Sequence, residues 1–218
     1  MRQLLFLMIP ATALFFVLRA QIVRLTLGYG KFDWADTILT IDTLGLFLAG
    51  LIFQGVLAII LRAFFALEDA KTPFWVLFFG ILVSLAVSLI FSPVMDVGAL
   101  ALAMSAGAVF NTIVLSYILE RRLKNLDFSE LFRPIIFLII SSAISAASAY
   151  GTLHFVVRYL NTHKVLHLII QGGTAGIVGI AVFIAVSMLF RIEEARQLGS
   201  KLKFRGKIVL PSLDEEIH

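Results

Sequence analysis

Six long stretches of this chain carry no charged side chain: Leu4 to Leu18, Thr43 to Leu61, Phe74 to Met95, Val97 to Leu119, Pro134 to Val157 and Val165 to Phe190. A helix rises about 1.5 Å per residue and the hydrocarbon core of a bilayer is about 30 Å thick, so about 20 apolar residues cross it. Five stretches are near that length and the first is somewhat short. A single ionised side chain at the centre of a membrane helix costs about 2.5–3.5 kcal/mol on insertion scales. Six stretches free of Lys, Arg, Asp and Glu therefore predict an all-α membrane protein, a bundle of about six transmembrane helices. Strands of a membrane barrel would be about 10 residues long and alternate in polarity, and nothing here alternates that way.

The first stretch has the look of a signal peptide, a basic start followed by an apolar run. No small-x-small cleavage site follows it, so it reads as a span, with Pro10 kinking it inside a bundle that can absorb the break. Composition supports the membrane class: 60% of the residues are hydrophobic and the mean hydropathy is +1.00. There is no cysteine, which excludes disulfides and thiolate metal sites. The basic pI of 9.6 does not point to nucleic acid, because no soluble face exists to display a basic patch.

The charges lie between the stretches and report orientation. With six spans, 13 of the 18 Lys and Arg fall on the side of the two termini and 5 on the other. The positive-inside rule places both termini in the cytoplasm. The tail mixes Arg196, Lys201, Lys203, Arg205 and Lys207 with Leu198, Leu202, Phe204 and Ile208. That pattern suits a segment lying on an anionic leaflet.

Three constellations stand out. The link from Leu61 to Pro73 holds Arg62, Glu68, Asp69 and Lys71, with Thr72 placed to cap the next helix and Pro73 in its first turn. It reads as a charged hairpin that pins two helix ends, or as a cytoplasmic gate in which Arg62 and Lys71 pair with Glu68 or Asp69 in one state only. Next, small residues recur every four positions: Gly80, Ser84, Ser88 and Ser92 in one stretch, Ala99, Ala103, Gly107 and Asn111 in the next. Such stripes let membrane helices approach closely. Alternatively, Ser84, Ser88 and Asn111 line a hydrated cavity. Finally, the last two stretches are smooth, with Ser141 to Gly151 in one and Gly172, Gly173, Gly176 and Gly179 in the other. They can pack tightly or leave a shallow groove for an acyl chain. His163 and His167 share a helix-face spacing, but zinc sites take three or four ligands and no third is in evidence. No triad, phosphate loop or carboxylate pair anchors an enzyme, so no catalytic residue, cofactor or metal is expected.

Several of these residues are shared with a known family. Pro10, the run Gly28-Tyr29-Gly30-Lys31-Phe32, the element Leu61-Arg62-Ala63-Phe64-Phe65-Ala66-Leu67-Glu68-Asp69-Ala70-Lys71-Thr72-Pro73, the run Val97 to Ala103 and Asn111 resemble the C-terminal half of the MurJ (MviN) family. These are the lipid II flippases of bacterial peptidoglycan synthesis, within the multidrug/oligosaccharidyl-lipid/polysaccharide exporter superfamily. The resemblance implies the last six of fourteen spans, in the bacterial cytoplasmic (inner) membrane, with both termini cytoplasmic. It implies four C-terminal-lobe helices over 1–125, an extra two-helix pair over 126–190 that forms a groove for the undecaprenyl tail, and a basic cytoplasmic tail over 191–218. The substrate implied is lipid II, an undecaprenyl-diphosphate-linked precursor, moved by alternating access between two lobes. Its partners are membrane lipids and an N-terminal lobe outside this chain, where most of the family's diphosphate-holding basic residues lie. The cavity-facing Asn and acidic positions often seen in the family's eleventh span stand here as Ser84 and Ser88, and a Thr common in the next as Met104, which speaks against the bound cation attributed to some relatives. The expectation is a C-terminal portion that does not transport by itself. The alternatives are an exporter of other lipid-linked polysaccharide units and a non-transporting scaffold for cell-wall enzymes.

Overall fold

The computed structural model describes residues 2–27, 33–123, 129–157 and 165–190. They form α1 (Arg2–Leu27), α2 (Trp34–Ala66), α3 (Lys71–Met95), α4 (Val97–Leu123), α5 (Ser129–Val157) and α6 (Val165–Leu189). Each of the six is long and apolar enough to cross a membrane, and no strand occurs among the described residues. Inside hydrocarbon every backbone N–H and C=O must be paired within the chain, which leaves helices as the solution for segments of this composition. The run Gly28 to Phe32, His163 and the tail 191–218 lie outside the described residues.

The helices run beyond the uncharged stretches. α1 continues past Leu18 and takes in Arg19 and Arg24, while α2 begins ahead of Thr43 and takes in Asp36 and Asp42. Arg62, expected in a link, lies inside α2, and α4 carries Arg121 and Arg122 in its last turn. Hydropathy marks where a helix meets lipid, not where it stops; a helix can continue into headgroups and water, where charges are solvated. At ~1.5 Å per residue, the extensions of α1 and α2 stand about 13 Å beyond the uncharged stretches. They are locally supported. Arg19 lies over the Phe16 ring at 4.4 Å and Arg24 over Trp34 at 5.1 Å. Asp33 and Asp36 close a capping box at the start of α2, with the Trp34 N–H donating to Asp33 Oδ1 at 2.6 Å.

Packing follows residue size. α4 lies between α2 and α3, α2 packs on α1, and α1 packs on the α5–α6 pair; α2 and α3 make little contact with each other. α4 can occupy the centre because the buried positions of its first half are small: Ala99, Ala101, Ala103, Ser105, Gly107 and Ala108. Against α2, a Cβ built on Gly50 would stand 2.6 Å from Ser105 Cα, so only glycine fits there. Hydroxyls fasten the same seam: Ser105 Oγ donates to Leu46 O at 2.8 Å and Thr112 Oγ1 to Phe53 O at 2.9 Å. Against α3, the two small-residue stripes meet: a Cβ on Gly80 would collide with the Asn111 amide, and one on Gly107 with Ser84 Oγ.

Larger apolar side chains form two buried clusters. Ile60, Phe64, Val76, Leu115 and Leu119 form one cluster, from the end of α2, the start of α3 and the end of α4. Leu5, Phe6, Ile9, Leu138 and Phe183 form another among α1, α5 and α6, with the Phe6 and Phe183 rings 5.2 Å apart.

Candidate functional site

Three features of this frame have the chemistry of a site: a charged corner, a small mixed pocket at mid-depth and an apolar groove. The corner is the turn from α2 to α3. Asp69 N–H donates to Phe64 O and Glu68 N–H to Phe65 O, both at 3.0 Å. This is the Schellman pattern of a helix end, whose left-handed position usually takes glycine. Here Glu68 fills it, at φ 56. Asp69 then reaches forward. Its carboxylate accepts from the Thr72 N–H at 3.1 Å and from Thr72 Oγ1 at 2.7 Å, and it pairs with Arg122 at the end of α4. Thr72 is therefore not the cap expected from its position. Ala70 holds the N-cap place without a side-chain hydrogen bond, and Asp69 supplies the acceptor from one residue earlier. A carboxylate is the stronger choice, because it accepts from the free N–H and from a hydroxyl together. The Thr72 hydroxyl, the Thr72 backbone N–H and then Arg122 lower the Asp69 carboxyl from 3.8 to about 2, against an opposing push from burial.

Arg62, Glu68, Asp69 and Lys71 thus lie at one corner, but the ion pair seen there joins Asp69 to Arg122. Among the described residues, no ion pair links Arg62 or Lys71 to Glu68 or Asp69. Arg122 was invisible to a reading of the 61–73 link because it lies 53 residues from Asp69. A cavity of about 630 Å³ opens beside the pair, lined by Glu68, Asp69, Lys71 and Arg122.

The second feature is a pocket of about 220 Å³ between α2 and α3, floored by α4, with Gln54, Ser84, Met104 and Asn111 in its wall. Ser88 is half-buried one turn further along α3 and does not line it. Gln54 carries the same sequence signal as Asn111, an amide in the middle of an uncharged stretch. Asn111 is 9% exposed and its Oδ1 is buried without a hydrogen-bond partner.

The third feature lies between α1 and α6. Ser145 Oγ donates to Gly179 O at 2.6 Å, and Ser145, Ala149 and Ala175 are fully buried, so α5 and α6 are tightly joined. The other side of α6 leaves a groove of about 380 Å³ with purely apolar lining, including Phe6, Pro10, Leu14, Gly176, Ile180 and Phe183. The closing hairpin is thus packed tightly between its own two helices, and the groove lies between α6 and α1. Pro10 lies within the continuous α1 helix and faces this groove. His167 lies in the first turn of α6, and no group of three or more His, Cys, Asp or Glu able to hold a metal occurs among the described residues.

A family model described as lipid II flippase MurJ matches residues 1–171. The chain belongs to the MurJ family. Among relatives of that family, a probable lipid II flippase MurJ of Borreliella burgdorferi is 31% identical over 156 residues, covering 72% of this chain and 30% of the relative. Those of Rhizobium tropici and Thermotoga maritima are 28% and 23% identical, over 85% and 89% of this chain and 34% and 37% of their own lengths. The chain spans about a third of the length of these curated MurJ relatives. The fold is also that of a solved structure titled lipid II flippase MurJ, inward closed conformation, with a TM-score of 0.66 at 23% identity, covering 85% of this chain and 36% of that one. Family and helix content together make this a multi-pass membrane protein.

Proposed function

We propose that these six helices form the C-terminal third of a lipid II flippase, which carries a lipid-linked peptidoglycan precursor across the bacterial cytoplasmic membrane by alternating access. The family match over residues 1–171 is the observation that carries this reading. Each of the three features has a part in it. The apolar groove between α1 and α6 takes the undecaprenyl tail, since a tail without polar atoms needs a wall without them. Ser84 and Asn111, joined by Gln54, face the path of the headgroup. The Asp69–Arg122 pair holds the ends of α2, α3 and α4 together and opens when the lobes rock, with Arg62, Glu68 and Lys71 as the charges that re-pair. Helices α1 to α4 belong to one lobe and α5–α6 to the tail-binding pair. Both termini face the cytoplasm, by the excess of Lys and Arg on their side. Rocking requires a second lobe, equivalent to helices in the rest of the longer relatives, so the six helices alone do not flip lipid.

A chimera tests this. The corresponding third of a MurJ relative is replaced by this chain and expressed in a flippase-depleted cell. Growth is expected to return with the chimera and not with this chain alone. Gly176→Leu in the chimera, which fills the groove, is expected to slow that rescue. A chimera that inserts and accumulates normally yet never restores growth would end the proposal. Rescue by these six helices alone would end the claim that a second lobe is needed.

A further inference from the structure

We infer that the pocket formed by Gln54, Ser84 and Asn111 binds the neutral, hydrogen-bonding part of the headgroup, its sugar or peptide amides, and not the diphosphate. Three observations on separate helices carry this. First, depth: Asn111 is near the middle of α4 (Val97–Leu123), Ser84 near the middle of α3 (Lys71–Met95), and Gln54 near the middle of the uncharged part of α2. Three polar side chains therefore meet at the centre of the bilayer, where a polar group without a partner is costly and where transporter sites concentrate. Second, an open valence: Asn111 Oδ1 is buried and unpaired in a side chain 9% exposed, and the amide lies against Gly80, where any Cβ would collide with it. A buried carbonyl oxygen in this state calls for an N–H or O–H donor. Third, charge: the pocket sets two amides and a hydroxyl among apolar Leu57, Ile81, Met104 and Ala108, with no Lys, Arg, Asp or Glu. A diphosphate would find no cation there, whereas amides and hydroxyls match the donors and acceptors of an acetamido sugar or a peptide. The volume of about 220 Å³ is on the scale of one such group. The surrounding seam is already satisfied, since Ser105 and Thr112 spend their hydroxyls on α2 carbonyls. That leaves Asn111 as the open position.

The inference rests on the flippase reading and is tested separately from it. The full chain, reconstituted in nanodiscs, is titrated with lipid II and with undecaprenyl diphosphate, which has the same tail and phosphates but no sugar or peptide. The parent chain is expected to bind lipid II more tightly. Asn111→Leu is expected to weaken lipid II binding about three- to tenfold, the worth of one neutral hydrogen bond, and to leave undecaprenyl diphosphate binding unchanged. Gln54→Leu, at the pocket's half-buried wall, is the second variant, and the same selective loss is expected. Equal loss for both lipids, or no loss for either, overturns the assignment; an Asn111→Leu chain that loses only thermal stability makes the pocket a packing seam. Failure of the parent to bind either lipid overturns the pocket assignment alone, while the flippase reading stands or falls with the chimera's rescue of growth.

Discussion

Replacing Gly50 with alanine measures how closely α2 and α4 are held. The new Cβ would sit 2.6 Å from Ser105 Cα and 2.8 Å from Ser105 Cβ. Carbon atoms in contact prefer about 3.5–4.0 Å, so the helices must part by about 1 Å, and a backbone atom cannot rotate out of the way. Overpacking of this kind costs about 1–3 kcal/mol. The separation also stretches the Ser105–Leu46 and Thr112–Phe53 hydrogen bonds, now 2.8 and 2.9 Å, each worth roughly 0.6 kcal/mol in a membrane protein. Alanine returns about 1 kcal/mol through its better helix propensity. The expected net loss is about 1–3 kcal/mol. Gly55→Ala, on the same helix, is the control. Its Cβ would meet the Met8 sulfur and methyl, the far end of a flexible side chain, so stability should stay within about 1 kcal/mol of the parent. Unfolding by a denaturing detergent, followed through Trp34 and Trp75, the two tryptophans of the chain, reads both. A Gly50→Ala chain as stable as the parent, or a Gly55→Ala chain equally damaged, refutes the claim that backbone contact limits this seam.

Other predictions concern the corner. Glu68 occupies a left-handed backbone position at φ 56, so Glu68→Gly should stabilise the chain by about 1 kcal/mol; a fall in stability in the same detergent titration would show that the Glu68 side chain makes an essential contact. Asp69→Asn should lower the melting temperature more than Glu68→Gln, because only Asp69 joins Thr72 to Arg122. That difference should depend on pH with a definite sign. The folded Asp69 carboxyl is lowered from 3.8 to about 2, so its stabilisation is complete above the ordinary value and is lost as pH falls towards the folded one. The gap between parent and Asp69→Asn should be flat from about pH 7 to pH 5 and shrink below about pH 4. A gap that grows on acidification contradicts the assignment. The exchange Asp69→Arg with Arg122→Asp should recover part of what either single change loses, while losses that simply add would show that the two side chains do not act as a pair.

The six helices were legible in the sequence because lipid imposes a one-dimensional rule: an uncharged apolar run of sufficient length must be a helix. The helix ends were less legible. Arg19, Arg24, Asp36 and Asp42 interrupt hydropathy but not the helical backbone, since charges outside hydrocarbon cost little. The stripes of Gly80, Ser84, Gly107 and Asn111 announced that two helices approach closely, because smallness at a four-residue spacing is a local property. Which hydrogen bonds are made, and which are left open, is not local. Asp69 finds Arg122 across 53 residues of chain. Asn111 comes to share a wall with Gln54, and stays unpaired at its carbonyl, because α4 is inserted between α2 and α3. The sequence by itself thus determined the membrane class and the number of spans, and marked the small-residue stripes that allow a close helix approach. Only the tertiary structure decided the partner of Asp69, the join between α5 and α6 and the open groove beside it, and the unpaired amide at mid-depth, because each depends on side chains brought together from distant helices by how closely their backbones can approach.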